Sequence, residues 1–404
     1  MKTLFDKAGW AALILLLAGC TSHTITRVDS VEVIRAEREL PAEALLDVGI
    51  AVFDPGIPDY QDPRDDDPVF PEVRKAEARY IPYQLRRTLE QTNQWGAVRV
   101  LPEADPAAEL LVTGKIDDSD GYVLELRIKA VDSTGRVWLE EKYIGNATQF
   151  AYRDDVDFPG DPFQDIYDEI ANDLLQARQK LARRDLREVR TVGQLKYARE
   201  LSPHAFGDHL TEDRRGRVAI NRLPSPNDPM LARVKRIRDS EYLFIDTVDQ
   251  QYATFYNQMD PSYDQWRRYS YEETLAMQDV KRSARTRMLA GALAALGGAA
   301  VSSKANNTGT QIVGNSAILG GLTLMKQGYD VGKEADLHQE ALKELATSFD
   351  SEVAPIVMNV EGEVVKLSGT LEAQYHEWRR LLRQIYAEEV GLPLAEQGGT
   401  RNED

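Results

Sequence analysis

The clearest pattern along the chain is a period-two alternation near residue 125. Leu124, Leu126, Ile128 and Ala130 alternate with Glu125, Arg127 and Lys129, so one face of a strand is apolar and the other is wet. Ser133-Thr134-Gly135 supplies a turn, and Val137, Leu139 and Tyr143 then share a register with Glu141. Together these predict a hairpin. Upstream, Leu46 to Phe53 reads as a β-branched strand stopped by Asp54-Pro55-Gly56. A proline-rich loop from Pro58 to Pro71 follows, with the acidic run Asp65-Asp66-Asp67. A helix is expected over Val73 to Gln94, with Tyr80, Tyr83, Leu85 and Leu89 inward and Pro82 starting or kinking it. Ala97 to Leu101 and Leu110 to Ile116 complete the strands, with a short helical turn opening at Asp105-Pro106.

Beyond residue 150 the period changes to that of a helix. Ile166, Ile170, Leu174, Leu175 and Leu181 fall on one face of a helix over Phe163 to Arg184. Gly207 to Asp228 reads as loop. Leu231 to Met259 and Tyr263 to Arg285 read as two helices separated by Asp260-Pro261-Ser262. Tyr252, Tyr256, Tyr263, Trp266, Tyr269 and Tyr271 crowd this pair. They either pack the two helices together or offer a surface to a partner or a glycan strand.

Two runs then differ in kind. Met288 to Val301 and Ile312 to Met325 carry no charge, and Asn306-Asn307-Thr308-Gly309 marks a turn between them. Gly291, Gly297, Gly298, Gly314, Gly320 and Gly321 give both runs small surfaces that allow close backbone approach. Each run would be about 21 Å long as a helix, short of the roughly 30 Å hydrocarbon core of a bilayer. The hairpin is therefore either buried within the protein or a site of self-association or membrane contact. In the tail, Leu337, Ala341, Leu345 and Phe349 mark one helix. Ile356 to Val360 and Val364 to Leu371 read as paired strands, and Tyr375, Trp378, Leu382 and Ile385 line a second helix.

Charge and the amino terminus narrow the function. The formal net charge is −17 over 404 residues, which repels nucleic acid and anionic headgroups unless a local basic patch intervenes. Arg183 to Arg190 is one such patch, but its interspersed acids fit a solvated helix face. Lys2 and Lys7 precede an apolar run, Trp10 to Leu17, too short to span a bilayer and matched to a signal segment. Leu17-Ala18-Gly19-Cys20 follows. Cys20 is the only cysteine, so no intramolecular disulfide forms.

That tetrad resembles the lipobox of bacterial lipoproteins. The resemblance implies cleavage before Cys20, acylation of its thiol and amine, and anchoring by several chains. Thr21 stands where an aspartate would signal inner-membrane retention, which implies the periplasmic face of the outer membrane. The run from Val48-Gly49-Ile50-Ala51-Val52-Phe53 through Leu85-Arg86-Arg87-Thr88-Leu89, Val98 to Leu101 and Leu110 to Ile116 to Leu124 to Ile128 resembles the small α/β domain at the front of TolB. It is also similar to the domain of CsgG-type and penicillin-binding-protein-activator lipoproteins, which implies docking or ring formation. Val360 to Leu371 resembles the core of BON domains.

Catalytic motifs are sparse. His204 and His209, beside Asp208 and Glu212, lack a fixed metal-ligand spacing. Asp117-Asp118-Ser119-Asp120-Gly121 lacks the downstream ligands of a calcium loop and fits a hairpin turn. No nucleophile elbow, phosphate loop or zinc-protease motif occurs.

The expected fold is α+β. Residues 1–19 form a signal peptide, 20–44 a lipidated tether with a weak strand or helix start, and 45–150 a small α/β domain. Residues 162–285 form a helical region, 286–332 the Gly/Ala-rich hairpin, 334–390 an αββα unit and 391–404 a disordered tail. The expected function is a non-enzymatic lipoprotein, an accessory or scaffold in envelope assembly or export, without cofactor or metal. Its expected contacts are the membrane through Cys20, an unidentified envelope protein and copies of itself, but not nucleic acid. The alternative is a cell-wall enzyme or a regulator of one.

Overall fold

The computed structural model describes residues 30–60, 69–153, 160–298, 356–360, 363–367 and 371–391. Mixed helices and a mixed five-stranded sheet give the α+β class. The strands are β1 (Val48–Ala51), β2 (Val98–Leu101), β3 (Leu110–Ser119), β4 (Val123–Asp132) and β5 (Val137–Asn146), in the order β2-β1-β3-β4-β5. β1 pairs parallel with β2 and β3, and all four of its residues are buried, as expected for a strand covered on both faces. β3, β4 and β5 form an antiparallel meander. Leu124, Leu126, Ile128 and Ala130 are all buried, so the alternation found its core face. Val137 did not: the ladder slips between Ala130 and Val131, and Val137 stands 50 % exposed.

α1 (Pro71–Gln91) starts at Pro71 and runs through Pro82. Pro82 therefore does not start it. Pro71 takes the first turn, where a missing N–H costs nothing. Asp105-Pro106 opens a turn without helix, closed by the Asp105 carboxylate accepting from the Ala107 N–H (2.8 Å). The helix expected to reach Arg184 divides into α2 (Gln164–Gln179) and α3 (Arg183–Leu201). Arg183, Arg184 and Arg187 are exposed on α3, as a solvated face requires. The expected loop over 207–228 contains a small hairpin, β6 (Leu210–Glu212) with β7 (Val218–Ile220).

The largest correction concerns Asp260-Pro261-Ser262. These residues do not separate two helices. α4 runs unbroken from Pro229 to Gly298, 70 residues, about 105 Å at 1.5 Å per residue. The reason lies in phase. Val234, Ile237, Ile245, Val248, Tyr256, Met259, Tyr263 and Trp266 are buried at helical spacing, and the stripe crosses Pro261 without slipping. Pro261 itself is exposed. An interior proline costs about 3 kcal/mol. Burying Tyr256, Met259, Tyr263 and Trp266 gains about 1.5–3 kcal/mol each, so packing outweighs the proline.

β8 (Ile356–Val360) pairs antiparallel with β9 (Glu363–Leu367), and α5 (Leu371–Val390) follows. Leu371 opens the helix instead of closing the strand. Tyr375, Trp378 and Leu382 are buried as expected. Phe244 of α4 stacks on Trp378 at 5.7 Å. One apolar core contains residues of the sheet, α1, α2, α3, α4 and α5. At the amino-terminal side, residues 30–44 contain no strand, only a 3-10 turn at Ala42–Ala44. This segment lies on the body: Ile34 N–H donates to Asn172 Oδ1 (2.8 Å) and Ala36 N–H to Thr92 O (2.8 Å). The helix expected over Leu337 to Phe349 lies outside the described residues.

Candidate functional site

The chemically richest part of the fold is the joint between α1 and the middle of α4. α1 carries Arg74, Glu77 and Tyr80 at successive helical turns, a face that α4 covers. Glu77 is fully buried. Its Oε1 accepts from the Ser119 hydroxyl (2.6 Å) and from the Tyr263 hydroxyl (2.7 Å). Burial pushes its carboxyl above the usual range, and Arg74 opposes that rise. Arg74 sits 3.9 Å from Glu77 and 3.1 Å from Asp118.

One turn along, Arg267 is 2 % exposed. It donates to Asp161 Oδ2 (2.8 Å) and pairs closely with Asp264. The Tyr80 hydroxyl donates its one proton to the same Asp161 oxygen (3.0 Å), and an Asp260 oxygen lies 3.3 Å from it as the alternative acceptor. Asp161 Oδ1 accepts from the Phe163 N–H (2.9 Å) at the entrance to α2. One aspartate thus ties α1, α2 and α4 together. Aromatic rings close the joint: Tyr80 meets Tyr256 at 5.5 Å and Tyr263 at 5.1 Å, and Tyr263 stacks on Trp266 at 6.0 Å. Arg267 lies 4.3 Å over the Tyr263 ring.

The β3–β4 turn docks on the same helix. Gly121 has φ +78°, and a Cβ there would meet the Arg267 carbonyl oxygen at 2.3 Å. Asp120 accepts from the N–H groups of Tyr122 (2.9 Å) and Val123 (2.6 Å), and from the Thr274 hydroxyl (3.2 Å). Of the acidic run 117–121, Asp117, Asp118 and Ser119 end β3, and Asp120-Gly121 form the turn that is fastened to α4.

Beside the joint lies a polar cleft of about 410 Å³, lined among others by Arg35, Arg87, Gln164, Asp168, Asp260 and Arg267. Burial raises the Asp168 and Asp260 carboxyls. The cleft offers hydrogen-bonding groups of both signs: Arg267 pairs with Asp161 and Asp264, whereas Arg87 and Asp168 meet the neutral Gln84 and Gln164 on their own helices.

A second joint holds α5. Glu241 of α4, 3 % exposed, accepts from Tyr197 of α3 (2.6 Å) and Tyr375 of α5 (2.7 Å), and faces Arg379 at 3.3 Å. Burial raises its carboxyl against the opposing pull of Arg379.

Of the residues expected to act, Gly291, Gly297 and Gly298 lie on the last turns of α4. Cys20, Gly314, Gly320 and Gly321 lie outside the described residues. Tyr256, Tyr263, Trp266 and Tyr271 are buried, so these rings pack the body and do not form a glycan-gripping surface. His209 places Nδ1 2.9 Å from the Arg222 carbonyl. Among the described residues, no group of three or more His, Cys, Asp or Glu is placed to hold a metal ion.

Sequence reasoning missed the joints. Their signal was a Glu and an Arg within apolar helical stripes, Glu77 and Arg267, which pattern alone assigns to solvent. Comparison of the chain with protein-family models, curated proteins and solved structures finds no match.

Proposed function

We propose that this chain is a membrane-anchored, non-enzymatic lipoprotein that serves as an accessory or scaffold in cell-envelope assembly or export. The observation that carries this reading is α4. Val234 through Leu275 packs against the body, and the helix continues to Gly298. One rigid element therefore joins a clamped α+β body to the charge-free run that begins at Met288. A strut of this kind suits presentation of a body at a fixed distance from a surface or an assembly.

The lipobox-like tetrad ending at Cys20 supports anchoring, and Thr21 supports the periplasmic face of the outer membrane. The strand–helix–strand order at the front of the chain supports docking to an envelope protein or to further copies, as in the TolB-like and CsgG-like domains it resembles. The buried charges at both joints have structural partners, which favours a scaffold over an enzyme.

Fractionation of wild type and Cys20→Ala tests the anchor. Wild type should sediment with membranes and Cys20→Ala should be released; wild type recovered as soluble protein contradicts the reading. Light scattering of the acylated protein in detergent tests assembly. A defined oligomer supports a ring or conduit, and a monomer restricts the function to a tethered adaptor.

A further inference from the structure

The distribution of charge along α4 has a sharp discontinuity. The chain is acidic overall, at −17, yet no Asp or Glu occurs between Asp279 and Asp330. Within that stretch Lys281, Arg282, Arg285 and Arg287 fall in two helical turns, immediately before the charge-free Met288 to Gly298. All of these positions belong to the continuous α4. By helical register, Leu289, Leu293 and Leu296 share one face, and Arg282 and Arg285 continue that face toward the body.

We propose that the end of α4 is a second membrane contact, in which the basic band 281–287 meets anionic phospholipid headgroups and the leucine face of 288–298 enters the bilayer. The inference rests on the membrane-anchored reading above and adds the lipid class and the residues. Three observations favour an anionic bilayer as the occupant. The band opens the longest acid-free stretch of an acidic chain, residues 280–329, so its charge complements a surface that repels the rest. Basic groups beside an apolar helix sit at headgroup depth while the apolar part is buried. Length limits the depth: the charge-free run from Met288 to Val301 would rise about 21 Å as a helix, short of the roughly 30 Å hydrocarbon core, so it enters the bilayer without crossing it. No described helix is long and apolar enough to cross a membrane.

The test uses full-length Cys20→Ala protein, which lacks the acyl anchor, in flotation with vesicles. One set contains phosphatidylglycerol in phosphatidylethanolamine and the other is pure phosphatidylcholine. Flotation with the anionic vesicles that weakens with salt is expected. Neutralising the band (Lys281→Gln, Arg282→Gln, Arg285→Gln and Arg287→Gln together) should weaken it on the order of 10²–10³-fold at low salt. Leu293→Ser with Leu296→Ser, which leaves the charges in place, should also weaken it and guards against misfolding of the first variant.

Equal binding to neutral vesicles, unchanged binding by the neutralised variant, or self-association without vesicle binding overturns the proposal. Binding of a single-stranded oligonucleotide in preference to anionic vesicles does so too. Failure here, with acylated wild type still sedimenting with membranes, removes the second contact and leaves the anchor; release of acylated wild type removes the anchored reading itself.

Discussion

The sheet and the α1–α4 joint hold this protein in opposite ways. In the sheet, Ile50, Val112, Ile116, Leu126 and Ile128 are completely buried with no charged group among them. At the joint, Glu77, Arg267 and Asp161 are almost as deeply buried, and each is fixed by directional bonds. Apolar burial is non-directional and scales with area. A buried ion pair adds little net stability, but breaking it leaves a charge in a poor solvent. The sheet supplies stability, whereas the joint specifies where the long helix sits.

The sharpest way to break this comparison is Arg267→Met. It strands Asp161 in the interior and should cost about 3–5 kcal/mol in urea unfolding. Adding Asp161→Leu should recover part of that loss. If the two changes are simply additive, the pair is not coupled and the joint is ordinary packing. Ile128→Ala is the matching test of the sheet. It should cost about 2–5 kcal/mol through lost burial and a cavity, with no partner change able to restore it.

These two sites also mark what the sequence made legible. Ile128 sits in a strict alternation with Arg127 and Lys129, and its burial follows from period alone. Arg267 sits among Asp264, Arg268 and Glu272 and reads as solvent-facing; only the distant Asp161 and Tyr80 explain its position. The same long-range cause decided Pro261. Local chemistry predicts a break there, and the helix persists because Tyr256 and Tyr263 on either side both reach Tyr80. The β4–β5 hairpin and the β8–β9 pair rest on near neighbours and were readable. The joints and the length of α4 rest on partners far along the chain. The candidate cleft is assembled from four separate segments of the chain, which no local pattern announces.

A pH experiment sharpens the comparison further. Asp249 of α4 is 4 % exposed, faces Arg86 at 3.3 Å, and has no hydrogen-bond partner for Oδ1 among the described residues. Burial pushes its carboxyl up to about 7. A carboxyl raised on folding holds its proton more tightly in the native state, so stability declines as pH rises from the unfolded value near 3.9 to about 7 and is level above that. Asp249→Asn should remove much of this decline, on the order of 2 kcal/mol, seen as a smaller loss of stability between pH 5 and pH 8 in urea titrations. An unchanged pH profile would mean that Asp249 ionises as it does in the unfolded chain. The smallest expected effect is at the seam between the two regions. Gly121→Ala places a Cβ against the Arg267 carbonyl in a left-handed turn and should cost about 1–2 kcal/mol, read as a lower melting temperature.

The continuous α4 is the claim on which the scaffold reading depends most. It is tested by the distance between spin labels at Lys235 and Glu272, both exposed on α4. The Cys20→Ala background supplies a chain with no other thiol. Pulsed electron–electron resonance should give about 55 Å for an unbroken helix. A separation near 25 Å, as for two antiparallel arms packed side by side about Asp260-Pro261-Ser262, would contradict the account.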